Sequence, residues 1–198
     1  MTRASTLRWI ERVLLAFGGA LGVWCVAVLL EARFTNTLPP PPVKVTMEVD
    51  KSAAPRVRRP ATGDVIGRLE MPSLHIGTTV LEGSDDRTLA RGSGHIEETP
   101  LPGEPGNVGI AGHRDTVFRP LKRAKAGDPL TLTAADAIYR YRVTRTFIVD
   151  PDDVYVLDPT PDPTLTLVTC YPFEFIGHAP RRFIVQARLV GEQKRGNE

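Results

Sequence analysis

Thr164-Leu165-Thr166-Leu167-Val168-Thr169-Cys170-Tyr171-Pro172 decides how this chain folds. Apolar and β-branched residues follow one another with no polar break beyond threonine, which is the composition of a strand. Pro172 lacks the amide proton a central ladder needs, so the strand stops there. Cys170 therefore stands where strand becomes loop, with a thiol able to leave the core. About ten residues later Arg181-Arg182-Phe183-Ile184-Val185 opens a second strand, whose pairing with the first returns an arginine to the cysteine. Upstream, Ala111-Gly112-His113-Arg114-Asp115 ends another apolar run with a histidine. A cysteine, a histidine and an arginine thus each fall at a strand end.

Outward from these stretches the chain reads as short strands separated by turns. Val65 to Met71 is a strand closed by Pro72, and Ile76 to Leu81 is a second. Asp85 to Ala90 reads as one or two helical turns with Asp85 or Asp86 as N-cap. The glycines and prolines from Gly92 to Gly106 make a loop-rich region. Asn107 to Ala111 is a short buried strand, and Phe118 to Ala124 a brief helix. Leu130 and Leu132 alternate with threonines, then Tyr139, Tyr141, Val143 and Phe147 alternate with Arg140, Arg142, Thr144 and Thr146. Period two with one polar face marks half-exposed antiparallel strands. About eight short strands, no long amphipathic helix and no internal repeat point to an all-β fold closed into a barrel.

The N-terminus is an appendage to that barrel. Val13 to Leu30 is an unbroken run of 18 apolar or glycine residues, the length of a transmembrane helix. Arg3, Arg8 and Arg12 precede it, so the N-terminus is expected in the cytoplasm and the rest outside the membrane. The alternative is a cleaved signal peptide, against which stand the length of the run and the poor cleavage site Leu30-Glu31-Ala32. Pro39 to Pro42 and the aperiodic residues that follow form a tether. The expected organisation is a cytoplasmic tail (1–12), a single-pass membrane anchor (13–30), a Pro-rich extracytoplasmic linker (31–62) and the barrel domain (63–198).

Composition excludes other classes. With 41% hydrophobic and 24% charged residues and a net charge of +2, the chain shows no basic stripe for nucleic acid. The histidines lack metal-ligand spacing and no CxxC or HExxH occurs, so neither a metal nor a cofactor is called for. The acidic pairs Asp85-Asp86 and Glu97-Glu98 are too slight to argue for calcium. Of the two cysteines, Cys25 lies in the apolar segment, which leaves Cys170 unpaired outside the membrane. It is either a buried, inert residue or a reactive thiol. A thiolate beside a proton carrier and a cation is the minimum set for acyl transfer at a peptide bond. Cys170, His113 and Arg182 supply one member each. Arg181 points to the opposite face if the strand has begun, and a one-residue bulge exchanges the two.

Thr166 to Cys170 resembles the TLxTC signature of sortases, membrane-anchored cysteine transpeptidases of bacterial surfaces. Further stretches resemble the same family in order. They are Met71-Pro72 through Val80-Leu81-Glu82-Gly83, Gly92 to His95 with Pro102 to Asn107, and Ala111 to Arg114. Cys170-Tyr171-Pro172-Phe173 and Ala179-Pro180-Arg181-Arg182-Phe183-Ile184-Val185 are most similar to class D. The resemblance covers residues 65 to 190. It implies an eight-stranded sortase-type β-barrel with short helices. It also implies that Cys170 attacks the Thr–Gly (or Thr–small residue) bond of an LPxTG-like motif at the C-terminal end of an exported protein. His113 is then the proton carrier, and Arg182 holds substrate and oxyanion. An amine of a peptidoglycan precursor or a pilin resolves the thioacyl intermediate. Thr169 beside the cysteine, with Val154, Val156 and Leu157 of the Asp150 to Pro163 loop, is implied in binding the sorting peptide. His95 is expected as a loop or core hydrogen-bonding residue, with a catalytic part as its alternative. His178 is expected as a solvated loop residue, with a place on the amine-acceptor side as its alternative, and His75 as a surface residue. Two other outcomes stand beside transfer to an amine: hydrolysis by a surface cysteine peptidase, and a tethered binding module whose cysteine is structural.

Overall fold

The computed structural model describes residues 3–37, 59–174 and 177–195. A helix, α1 (Arg3–Thr37), contains the apolar stretch Arg12–Leu30, long and apolar enough by length and composition to cross a membrane. The helix runs past Leu30, so residues 31–37 of the expected linker are helical, and residues 38–58 lie outside the described residues.

Eight strands close into a barrel. They are β1 (Val65–Met71), β2 (Ile76–Glu82), β3 (Ser93–His95), β4 (Asn107–Ala111), β5 (Pro129–Ala134), β6 (Ala137–Val149), β7 (Thr164–Tyr171) and β8 (Arg181–Lys194). Their order around the barrel is β1-β2-β3-β4-β7-β8-β6-β5. Two neighbouring pairs, β2/β3 and β4/β7, are parallel, and the rest are antiparallel. The all-β barrel expected from the sequence is the observed fold.

Alternation decides what fills it. On β7, Leu165 and Leu167 point inward, as do Val185 and Ala187 on β8 and Val108 and Ile110 on β4. Tyr139, Tyr141 and Val143 of β6 join them, with Arg140 and Arg142 on the solvent side. Each fully buried aliphatic side chain contributes on the order of 2 kcal/mol to folding, so this inner layer dominates the stability. The short helix α2 (Asp86–Arg91) is capped by Asp85, whose carboxylate accepts from the amides of Arg87 and Thr88 and from the Thr88 hydroxyl. The hydroxyl bond is the main reason the Asp85 carboxyl titrates below its ordinary range. Where a helix was expected at Phe118 to Ala124, a 3-10 turn occupies Arg119–Arg123.

β3 lies in the region the sequence marks as loop. It is three residues long, and Gly94 at its centre lies so close to the Gly83 carbonyl that a β-carbon would collide with it. Its histidine is pinned on both ring nitrogens. His95 Nδ1 lies 2.9 Å from Glu82 Oε2, and Nε2 lies 3.0 Å from the Pro100 carbonyl and 3.1 Å from Thr99 Oγ1. The Thr99 hydroxyl donates to Ile96 O and accepts from the amide of Gly109 on β4. A buried His–Glu pair therefore fixes the 96–106 connection and the strand that leads to His113. His95 is wholly buried and serves the core.

Two measurements follow from this packing. His95→Ala leaves Glu82 buried without its partner, and denaturant unfolding should show a loss of about 3–5 kcal/mol. Burial pushes the Tyr141 phenol up to about 12. Because the folded value exceeds the ordinary one of about 10, the neutral phenol's contribution is complete below that pH and is lost as pH rises towards the folded value. Tyrosinate absorbance in the folded protein should accordingly lag behind that of the unfolded chain above pH ~10.

Candidate active site

Strand β7 is hydrogen-bonded on both sides, to β4 and to β8, and its registers determine which side chains share a face. Inward Leu165 and Leu167 put Thr166, Val168 and Cys170 on the outer face. On β8, inward Val185 and Ala187 put Arg182, Ile184 and Gln186 outside. Cys170 is directly opposite Arg182, and Tyr171 opposite Arg181. The thiol and the Arg182 guanidinium thus start from adjacent positions on one face, with Cβ atoms about 5 Å apart in such a pair. Arg181 belongs to the Tyr171 side, its guanidinium 5.7 Å from that ring's centroid. Cys170 is half-buried and unpaired. Arg182 Nη1 donates to the carbonyls of Ala179 (3.3 Å) and Arg181 (3.1 Å).

The histidine arrives from the other side. β4 and β7 run parallel with Ala111 level with Val168, and His113 follows two residues beyond β4, towards the end of the sheet that carries Cys170. The ladder continues past the formal end of β4, because the Gly112 amide donates to Val168 O (3.1 Å) and the Thr169 hydroxyl donates to Gly112 O (2.7 Å). Thr169 is 2% exposed and points away from the cysteine's face. What it does in this arrangement is hold the residue before His113. Gly112 has no room for a side chain, since a β-carbon would lie 2.6 Å from the buried Phe118 ring. The Phe118 amide donates to His113 O and closes the turn.

Arg114, next along, reaches across to the cysteine–arginine loop. Its Nη1 donates to Pro172 O (3.0 Å) and its Nη2 to Gly177 O (2.9 Å). On that loop Glu174 pairs with Lys122 at 2.6 Å, and this hydrogen bond holds the Glu174 carboxyl below its ordinary range. Below the loop, Tyr171, Phe173 and Phe183 pack together, with Phe173 and Phe183 ring centroids 5.3 Å apart. His178 and His75 are exposed. Among the described residues, no three His, Cys, Asp or Glu side chains converge as metal ligands.

The loop between β6 and β7 carries a 3-10 turn, Val154–Leu157, laid against the outer face. Val156 is buried in a small outer cluster with Val149 and Ile184, and Leu157 and Val168 pack at its edge. Leu157 also covers Gly109, whose missing side chain makes the space. Val154 is 70% and Tyr155 54% exposed, so these two face solvent, whereas Val156 and Leu157 support them from beneath. Thr169's hydroxyl bond and the Arg114 strap were not read from the sequence. The signal for the second was its place beside the histidine.

The geometry is matched by known proteins. The sortase domain family matches residues 69–190. Over 133 residues the chain is 37% identical to sortase D of Bacillus subtilis, covering 67% of this chain and 67% of that protein. It is 33% identical over 135 residues to sortase A of Listeria monocytogenes, covering 66% of this chain and 59% of that protein. A Clostridium perfringens sortase D5 transpeptidase has a similar structure, with a TM-score of 0.61 at 33% identity over 67% of this chain and 83% of that one. With barrel, strand register and similarity in agreement, the chain belongs to the sortase family of cysteine transpeptidases.

Proposed function

We propose that this chain cleaves an LPxTG-like sorting motif in exported proteins and transfers the acyl part to an amine of a peptidoglycan precursor or a pilin. The observation that carries this is the register setting Cys170 opposite Arg182, with His113 at the neighbouring strand end. In this reading the Cys170 thiolate attacks the Thr carbonyl carbon, and the developing oxyanion takes hydrogen bonds from Arg182. His113 gives its proton to the departing amine, the C–N bond breaks, and a thioester remains on Sγ. An incoming amine then attacks the thioester, His113 takes its proton, and the thiolate leaves. Val154 and Tyr155, exposed on the 150–163 loop, offer the peptide an apolar surface, with Val156 and Leu157 beneath.

The apolar helix supports membrane residence. Its flanking arginines favour a cytoplasmic N-terminus with the barrel outside, where sorting signals emerge. Class D is the subgroup favoured by the Cys-Tyr-Pro-Phe stretch and by the Bacillus subtilis relative.

Mass analysis of products, with the full-length protein in detergent and an LPxTG peptide plus or minus a glycine-based amine, separates transfer from hydrolysis. Transfer predicts an amide-linked product that appears only with the amine. Cys170→Ala should abolish it, and His113→Ala and Arg182→Ala should each lower turnover at least ~100-fold with thermal unfolding unchanged. Full activity in either variant removes that residue's role. A product of water alone, whatever amine is supplied, makes the protein a peptidase.

A further inference from the structure

On the outer face two pleats back from Cys170 and Arg182 lies a closed polar network. Asn107 of β4, Thr166 of β7 and Gln186 of β8 lie on three adjacent strands, with Gln186 directly opposite Thr166 and Asn107 diagonal to it, at 1%, 0% and 8% exposure. The Thr166 hydroxyl donates to Asn107 Oδ1 (2.7 Å). Asn107 Nδ2 then donates outward to the main-chain carbonyls of Val156 (2.9 Å) and Asp158 (3.2 Å). Gln186 Nε2 donates to the same Val156 carbonyl (3.2 Å) and to Thr166 Oγ1 (3.4 Å), and its Oε1 accepts from Arg145 Nε of β6 (2.8 Å). Four strands thereby contribute to holding two carbonyls of one loop.

An outer barrel face normally meets water, and polar residues there need no buried partners. These three are covered by the loop they bind, so each has given up water for a specific partner. A buried amide left unpaired costs more than a made hydrogen bond contributes, which turns the network into an all-or-none support. The loop cannot rise or slide without orphaning several groups together. Val156, whose side chain packs on Val149 and Ile184, adds an apolar anchor at the same point.

The height and position of the clamp relate to the reacting pair by strand geometry. Thr166 to Cys170 and Gln186 to Arg182 are each four residues, about 13 Å along a strand. An extended peptide of four residues covers the same ~13 Å. We propose that Asn107, Thr166 and Gln186 are positioning residues that fix the 154–158 loop at this distance from Cys170. They thereby set which residues before the scissile bond the loop reads, those three to four positions upstream. The inference rests on the functional reading above, because it presumes that a peptide lies along this face.

The test pairs steady-state kinetics with hydrogen exchange, using the full-length protein and an LPxTG peptide. Asn107→Asp keeps the shape and replaces the amide donor by an oxygen that faces two carbonyls. KM should rise about tenfold while kcat stays within about twofold, since a binding element made in ground and transition states alike has been weakened. Amide exchange in residues 152–160 should accelerate, with β7 and β8 unchanged. Alkylation of Cys170 should keep its wild-type rate. Thr166→Val should act in the same direction, and Thr166→Ser, which retains the hydroxyl, should restore the wild-type KM. Thr166→Val also serves if Asn107→Asp does not fold.

Unaltered exchange in the loop would show that the network holds nothing and would overturn the proposal. So would accelerated exchange with an unchanged KM, or a fall in kcat at constant KM. Absence of wild-type turnover on any such peptide would defeat the functional reading and this inference with it. That outcome is distinct because it appears before any substitution is made.

Discussion

The arrangement depends on one strand being paired on both sides in fixed registers. β7 is parallel to β4 and antiparallel to β8, so two neighbours of opposite direction meet it at the same end. Because side chains alternate with period two, a slip of one residue in β7 would turn Cys170 into the barrel and Thr169 out of it. Such a slip would also expose Leu165 and Leu167 and bury Thr166 and Val168 among aliphatic side chains. The inner core thus enforces the outer site. Packing energy spread over many residues holds three polar side chains that contribute little to stability themselves.

The two faces of this sheet obey different rules. Inside, apolar side chains fill space and tolerate little change in volume. Outside, near the cysteine, the sheet is overlaid by loops that are attached by directional bonds: Arg114 to the carbonyls of 172 and 177, and Asn107 and Gln186 to those of 156 and 158. Main-chain carbonyls are independent of side-chain identity. Loops bound through them keep their position whatever side chains they present to solvent, here Val154 and Tyr155.

Much of this was legible in the sequence, because the strands that matter are long or strongly patterned. β7 announces itself by an unbroken run of apolar and β-branched residues ended by proline, and β6 by the alternation of tyrosine and arginine over Tyr139–Arg142. β3 escaped, since three residues with a central glycine carry no period and resemble a turn. The side assigned to the loop residues was not legible either. A 3-10 turn gives Val154 and Val156 opposite exposures, and no pattern in four residues announces that. The resemblance implies Thr169 in peptide binding, whereas alternation along β7 turns its side chain inward, where the hydroxyl donates to the Gly112 carbonyl. Asn107, Thr166 and Gln186 are far apart along the chain, and polar residues in strands read as solvent-facing until something is seen to cover them.

Cys170 on β7, His113 just past the end of β4 and Arg182 on β8 come from three separate stretches, and β8 is the latest of them along the chain. A nascent polypeptide that has emerged as far as Pro172 already carries the thiol and the imidazole, yet lacks the strand that supplies the guanidinium. The pocket is therefore complete only once β8 has emerged and paired with β7. A prematurely ended product is a barrel missing one stave, with its sulfur beside an unfilled gap.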